Sequence, residues 1–457
     1  MKKWSDIYSR FRNVKWGIIV FFGSVCVLLS SNDATAQSKT GAWSLRACIE
    51  HAREHNIQVE YARVALVNTS VELSRDKAQR LPSLAFSSTQ GWGHQKKADA
   101  ATGNLKSMSA YTGNYSLNGD FSLYEGRKLT NAIRQREIEE KAMTQKVFAT
   151  QNDIEEAVAR AYLQILYANE TLKTNRQTLE SSESQLSRTK GLHEAGSVSL
   201  SDLSQMEAQY SSDLYRVVQS ENDLALAKLQ LKQLLERDPE EDFEVVFPEL
   251  DEKNVLLPLP GLENVYREAL RVRPEIKSQQ MSVESSFLGE KIARGGYFPS
   301  VSLSASVTTN HDSKSSDSYF SQMDDRLVEN VGVNISIPIT NRKQVRTNVS
   351  KARLQTEQAR LDERNVRKEL LQTVESLHQD VVAAQSRYQA AVQRVKSTYE
   401  SYRLVENEYK AGLKNVVDLL VEKNNYLSAL QEQIQAKYQA VLAYKLLNFY
   451  RNEPIDI

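Results

Sequence analysis

Leu81-Pro82-Ser83-Leu84-Ala85-Phe86 and Phe298-Pro299-Ser300-Val301-Ser302-Leu303 are two versions of one junction in this chain. Each proline lies 30 residues after an alanine, Ala52 or Ala269, so both landmarks repeat at an offset of 217. Downstream, Phe121-Ser122-Leu123-Tyr124 with Arg127-Lys128 answers Ile335-Ser336-Ile337-Pro338 with Arg342-Lys343, at offsets of 214 and 215. Glu194-Ala195-Gly196 with Asp202-Leu203 then answers Lys410-Ala411-Gly412 with Asp418-Leu419 at 216. Landmarks in one order at a nearly constant offset mark an internal duplication, and a period this long is a doubled unit rather than a solenoid.

Beyond each proline the hydropathy alternates. Leu84, Phe86, Ser88, Gln90 and Trp92 share one side of a period-two segment, and Tyr115, Leu117, Gly119, Phe121 and Leu123 share one side of the next. In the second half, Val301, Leu303, Ala305 and Val307 alternate with Ser or Thr, and Val331, Val333, Ile335, Ile337 and Ile339 alternate likewise. This is the strand period. It predicts strands over about 82–93, 113–124, 299–309 and 329–340, with Pro82 and Pro299 at the entries. Segments of roughly ten residues suit tilted strands in a bilayer. Polar connections run over about 94–110 and 310–328, and Trp92, Tyr111, Tyr124, Tyr297 and Phe298 sit near strand ends, as an interfacial girdle requires. From pattern alone, two soluble hairpins with β-rich cores remain an equal alternative.

After each strand pair the period becomes helical. Leu370, Val374, Leu377, Val381, Ala384, Tyr388, Ala391, Val395, Thr398, Tyr402, Val405 and Tyr409 follow alternating steps of four and three, a seam sustained for more than five heptads. Ile154, Val158, Ala161, Ile165, Ala168 and Leu172 keep the same rhythm in the first half, with Leu179 and Leu186 continuing it. No Pro or Gly interrupts the chain between Arg127 and Gly191. Gly196 and Gly412 break the rods, so each half ends in a helical hairpin, with turns near 191–199 and 410–415.

The 457 residues carry 58 Lys+Arg against 58 Asp+Glu and a mean hydropathy of -0.51. That excludes a polytopic helical membrane protein, whose every span needs about 20 apolar residues. With no basic surplus, a nucleic-acid partner is disfavoured. Lys2, Lys3, Arg10, Arg12 and Lys15, then an apolar run from Trp16 to Leu29 and Ala34-Thr35-Ala36, read as a secretory signal peptide over 1–36. Its removal leaves 53 basic against 56 acidic residues and Cys48 as the sole cysteine. Lipidation at Cys26 is a lesser alternative with poor flanks. The first repeat is then 37–237 and the second 263–450. The Pro-rich stretch 238–262 is a strap between them, and 451–457 is a short tail.

Four strands cannot close a membrane barrel, because single-chain barrels start at eight, and lipid does not tolerate an open edge. Strands that enter a membrane here must therefore come from several copies. The whole duplicated order resembles the TolC family of outer-membrane efflux proteins, through Leu81-Pro82-Ser83, Phe298-Pro299-Ser300, Arg273-Pro274-Glu275 and the two Ala-Gly turns. The resemblance implies a mainly α fold with a β-barrel portion: a homotrimer whose twelve-stranded outer-membrane barrel continues into a twelve-helix periplasmic coiled-coil tunnel. It implies a passive conduit of a tripartite efflux or type I secretion system. A periplasmic adaptor would dock on the tips near Gly196 and Gly412, an inner-membrane transporter of RND, ABC or MFS type would lie beyond it, and the strap would be the equatorial collar. The resemblance also implies a gate in which Asp202 links to Tyr409 and Lys414, while Asp418 from three copies rings the aperture. Val421 departs from a pattern that can carry a second acidic ring there. Without the family, Asp202 and Asp418 read simply as acids favourable at helix N-termini.

Enzyme readings find little. His51-Ala52-Arg53-Glu54-His55 matches H-x-x-E-H, but the equivalent stretch of the second half has no histidine and no further ligand motif follows. No nucleophile elbow, phosphate-binding loop or cysteine pair is present, and no cofactor or metal is expected. The non-enzyme rival is a periplasmic coiled-coil scaffold or adaptor without a membrane barrel. It leaves the four alternating segments unexplained.

Overall fold

A computed structural model describes residues 42–98, 103–238, 240, 242–248, 250 and 255–456. The expected leader with Cys26 and parts of the first strand connection and the strap lie outside them. Each half runs helix, helix, strand, strand, long helix, helix. In the first half these are α1 (Leu45–His55), α2 (Ile57–Ala78), β1 (Ser83–Ala98), β2 (Leu105–Glu125), α3 (Lys128–Glu194) and α4 (Leu200–Leu234). The second half has α5 (Leu262–Val272), α6 (Pro274–Arg294), a 3-10 turn (Gly295–Tyr297), β3 (Ser300–Asp312), α7 (Tyr319–Asp325), β4 (Val328–Ser336), α8 (Gln344–Lys410) and α9 (Val416–Phe449). Among the described elements, α7 and the 3-10 turn lack a counterpart in the first half. The rods α3 and α8 are both 67 residues long, about 100 Å at 1.5 Å per residue.

A helix of that length is held by its seam. Leu370, Val374, Leu377, Val381, Ala384, Tyr388 and Ala391 are buried in the phase the spacing predicts, as are Ile154, Val158, Ile165, Ala168 and Leu172 of α3. From Val395 to Tyr409 the same stripe is only half-buried, so packing thins towards the hairpin end. The main core gathers α1, α3, α4, α5, α8, α9, the strap and the tail around Tyr162, Leu166, Leu231, Leu447 and Ile455. Trp43 and Val245 form a parallel bridge. Tyr162 donates to the Val246 carbonyl at 2.6 Å, and Gln385 to the Leu257 carbonyl at 2.9 Å, which straps this segment across both long helices. Cys48 is fully buried in this core.

The four strands form one antiparallel sheet in the order β1-β2-β3-β4. The β1–β2 ladder runs from Ser83↔Asp120 to Ala98↔Leu105, whereas β3 pairs β2 only as far as Asp312↔Thr112. The first hairpin therefore consumes most of the expected 94–110 connection, because backbone pairing continues where the side chains turn polar. At the other edge β4 ends at Ser336 rather than 340. Pro338, which has no N–H to donate, follows there. A bulge between Ser122 and Tyr124 shifts the β2–β3 register as the chain leaves the sheet.

Candidate functional site

Register settles which side chains share a face. Leu84, Phe86 and Trp92 of β1 stand opposite Gly119, Leu117 and Tyr111 of β2. Leu117 and Phe121 stand opposite Val307 and Leu303, and Val301, Leu303 and Ala305 opposite Ile335, Val333 and Val331. Directly opposed residues lie on the same face. One face is thus a nearly continuous field of Leu, Phe, Val and Ile. It is broken on β1 by Ser88 and Gln90, where Gln90 Nε2 donates to Ser88 Oγ and the Tyr111 hydroxyl donates to Gln90 Oε1, and at the start of β4 by Glu329, opposite Val307. The other face carries Ser87, Thr89, Asn114, Ser116, Asn118, Asp120, Ser302, Ser304, Ser306, Thr308, Asn330 and Asn334.

Both faces are open. Leu84 is 73% exposed and Val331 78%, and among the described elements only the short α7 packs onto the sheet to any extent. A large apolar field facing water is costly at roughly 25 cal/mol per Å². A sheet with one apolar and one hydroxyl- and amide-rich face is the arrangement of a wall between lipid and a water-filled lumen. From Leu84 to Trp92 the apolar face of β1 runs eight residues, about 26 Å along the strand.

The junction between sheet and rods is backbone against backbone. Gly126 has φ +63, and a Cβ there would lie 2.4 Å from the Gly295 carbonyl oxygen and 2.9 Å from Phe298 Cβ. Arg127 and Lys343, the N-caps of α3 and α8, both take left-handed conformations, with φ 61 and 66. The paired Arg-Lys signatures of the two halves thus mark the same sharp entry into a rod. Pro82 and Pro299 each immediately precede the first strand residue of their half, where a missing donor is harmless.

At the opposite end both rods finish in the same turn. Gly196 (φ +71) and Gly412 (φ +78) are left-handed. Ser197 donates to the Leu192 carbonyl at 2.8 Å and Leu413 to the Glu408 carbonyl at 2.9 Å, closing Schellman-type caps. The returning helices are capped alike. Ser199 Oγ accepts from the Asp202 amide at 3.1 Å while Asp202 Oδ2 accepts from the Ser199 amide at 3.2 Å, and Asn415 Oδ1 accepts from the Asp418 amide at 2.9 Å. Leu186, Met206 and Val416 form a small apolar cluster just inside the turns, flanked by Leu203, Tyr210, Tyr409 and Leu420.

Further up the seam is a group of buried polar side chains. Lys423 Nζ of α9 donates to Ser182 Oγ of α3 at 2.5 Å and lies 3.4 Å from Asp213 Oδ2 of α4. Ser182 donates to the same carboxylate. Gln209 donates to Asp213 Oδ1 at 2.9 Å, and Arg216 lies 3.4 Å from it. Burial pushes the Lys423 ammonium below its ordinary pKa, against the opposing pull of Asp213.

Residues 48–237 and 265–450 match the sequence profile of the family described as "Outer membrane efflux protein". The chain belongs to that family. Among curated relatives, the "Toxin and drug export protein A" of Aggregatibacter actinomycetemcomitans is 25% identical over 87% of this chain and 84% of its own. The "Outer membrane protein TolC" of Escherichia coli K12 is 26% identical over 62% and 58%. The crystal structure of CusC superposes with a TM-score of 0.76 at 18% identity, over 91% of this chain and 95% of that one. The open-state MtrE channel of Neisseria gonorrhoeae gives 0.71 at 20%, over 89% and 88%. The protein is an outer-membrane efflux channel with the TolC fold, working with an efflux pump complex.

Within one chain the expected gate residues make the following contacts. Asp202 bonds Ser199 of its own turn, through the amide and through Oγ at 2.8 Å, rather than reaching Tyr409 or Lys414. The reason is local: a capping box satisfies two otherwise orphan helix-end donors with no long-range ordering. Lys414 of the turn pairs with Asp418 in the first turn of α9 at 3.9 Å, both side chains nearly half exposed. The Tyr409 hydroxyl lies 3.4 Å from Thr189 Oγ1 of α3, which does link the two hairpins. At the H-x-x-E-H segment, His51 Nε2 lies 3.1 Å from the Leu235 carbonyl and its ring packs on Trp43 and His55. Burial first, then the neighbouring His55 and Arg237, lower its pKa. The Lys423–Asp213–Ser182 group escaped the sequence reading, although the signal is there. Lys423 is seven residues after Val416, and Asp213 seven after Met206, so both are polar residues on seam positions.

Proposed function

We propose that three copies of this chain pool their strands into one twelve-stranded barrel and their rods into a periplasmic tunnel, forming the passive exit duct of a tripartite efflux or type I secretion system. The single observation that supports this best is the open sheet, with an apolar face and a Ser/Asn/Thr face and two free edges. The apolar face suits lipid, the polar face suits a lumen, and free edges at β1 and β4 suit pairing with neighbouring copies. A second apolar field points the same way. Ile57, Tyr61, Val64, Val67 and Val71 form an exposed helical stripe along α2 that a neighbouring copy would cover.

In this reading the tips near Gly196 and Gly412 take the periplasmic adaptor, and an inner-membrane transporter of RND, ABC or MFS type supplies the energy. The chain itself is not an enzyme. Asp418, with Lys414 beside it, rings the periplasmic aperture, and Tyr409 and Asp202 belong to the same closed tip. The test is reconstitution of detergent-purified protein into planar bilayers together with drug susceptibility of a deletion strain. The account expects discrete ion conductance and increased susceptibility on deletion. Protein that is soluble without detergent and never conducts would overturn it in favour of a periplasmic scaffold.

A further inference from the structure

Lys423, Asp213 and Ser182 have no part in the barrel, the collar or the turns, yet they are almost completely buried among the lower helices, at 2%, 1% and 0% exposure. They join three elements. Ser182 and Asp213 belong to the α3–α4 hairpin of the first half, and Lys423 belongs to α9 of the second. Ser182 lies one helical turn from Leu186, and Asp213 and Lys423 lie two turns from Met206 and Val416, so the charges sit about 6–10 Å above the apolar cluster at the tip. The ion pair Lys414–Asp418 nearer the turn is almost half exposed and is screened by water. The Lys423 pair is buried, with side-chain exposures of 3% and 1%.

In a buried seam the two charges repay their own desolvation mainly by facing each other. A motion that draws α9 away from α3 and α4 either carries the pair along or separates and hydrates it. Hydration removes the desolvation cost, so an intact pair grips more weakly than apolar packing of the same shape. A lone buried charge instead drives the hairpins apart. The partners are also unequal. Without Lys423, Asp213 keeps Gln209, Arg216 and Ser182. Without Asp213, Lys423 keeps, among the described residues, the Ser182 hydroxyl as its hydrogen-bond partner and Glu406 as a more distant opposite charge.

We propose that Asp213 is a positioning residue for the periplasmic gate: with Lys423 and Ser182 it forms a buried charge clasp that fixes the α8–α9 hairpin against the α3–α4 hairpin and sets the balance between closed and open tips. This rests on the channel reading, but the hairpin separation it predicts is measurable without any conduction.

The experiment places spin labels at Ser197→Cys and Leu413→Cys in the full-length exported protein, diluted with unlabelled chains, and measures their separation by pulsed dipolar spectroscopy. Cys48 does not interfere, being buried with its thiol pushed up to about 12. Asp213→Asn should widen the distance distribution and raise the open-to-closed ratio roughly tenfold or more. Lys423→Gln should move it much less, and the apolar pair Lys423→Met with Asp213→Leu should stay as closed as the natural protein. Should Asp213→Asn not accumulate, Ser182→Ala, which removes the bridging hydroxyl but keeps both charges, should still give partial widening. The clasp is overturned if Asp213→Asn keeps the natural separation, if the apolar pair opens as far as Asp213→Asn does, or if Ser182→Ala, serving in its place, is indistinguishable from the natural chain. Bilayer conductance of the same variants separates the two ideas, because widened tips in a protein that never conducts would sink the channel and leave the clasp standing.

Discussion

At the sheet end of this molecule the apolar side chains point outward, with Leu84, Phe86, Val331 and Ile335 more than half exposed and Ser, Asn and Thr on the other side. At the tip end the polarity is reversed: Lys423, Asp213 and Ser182 are inside, while Leu413 at the turn is 76% exposed. The surroundings account for the difference. A wall that faces lipid must close every backbone hydrogen bond and carry no charge outward, and it has no reason to move. A wall that must part in water can keep charges in its seam, because water receives them when it opens. The same duplicated unit thus supplies a fixed end and a movable end, joined by rods of equal length.

The comparison breaks most visibly on the sheet. Val333→Arg puts a cation on the apolar face at a cost of about 2–4 kcal/mol per copy at mid-membrane, whereas Ser304→Arg puts the same charge on the opposite face. Outer-membrane fractions should lose the first variant and retain the second; equal recovery of both would show that the faces are wrongly assigned. At the junction, Gly126→Val combines a left-handed φ with a clash against the Gly295 carbonyl at the ideal Cβ position, a cost of about 2–4 kcal/mol. Thermal unfolding should show that loss, and Gly93→Val, at a site with no neighbour within 4 Å, should not.

Effects at the tip are smaller and sharpen the contrast. Asp202→Ala removes one arm of a capping box, about 1 kcal/mol of local helix stability, and should leave the 197-to-413 separation unchanged. If it opens the tip as far as Asp213→Asn, the gate lies at the turn, as the family resemblance implied, and not at the buried pair. Gly412→Ala meets no atom within 4 Å and costs only the left-handed conformation, about 1 kcal/mol. Limited proteolysis at the turn should rise modestly while conductance holds.

Much of this architecture was legible in the chain because two periods and a duplication fix it. Pro82 and Pro299 mark the strand entries, alternation from Leu84 and Val301 gives the strands, and the four-three rhythm from Leu370 gives the rod with its buried face. Faces of the sheet needed the register, since a one-residue slip exchanges every side chain between lipid and lumen. The long first hairpin was hidden because residues 94–98 and 105–110 continue the backbone ladder while their sequence reads as a polar loop. Asp202 was legible as a helix-start acid, and that local role is the one its hydrogen bonds serve. Lys423 and Asp213 lie 210 residues apart, and a period that registers only apolar residues passes over the polar ones that share its seam.

The account stands on several copies completing one barrel. Its most direct test is the protein-only mass of detergent-extracted outer-membrane material, by light scattering coupled to chromatography. Three times the mass of the exported chain is the predicted result. A single copy that stays in solution without detergent would contradict it.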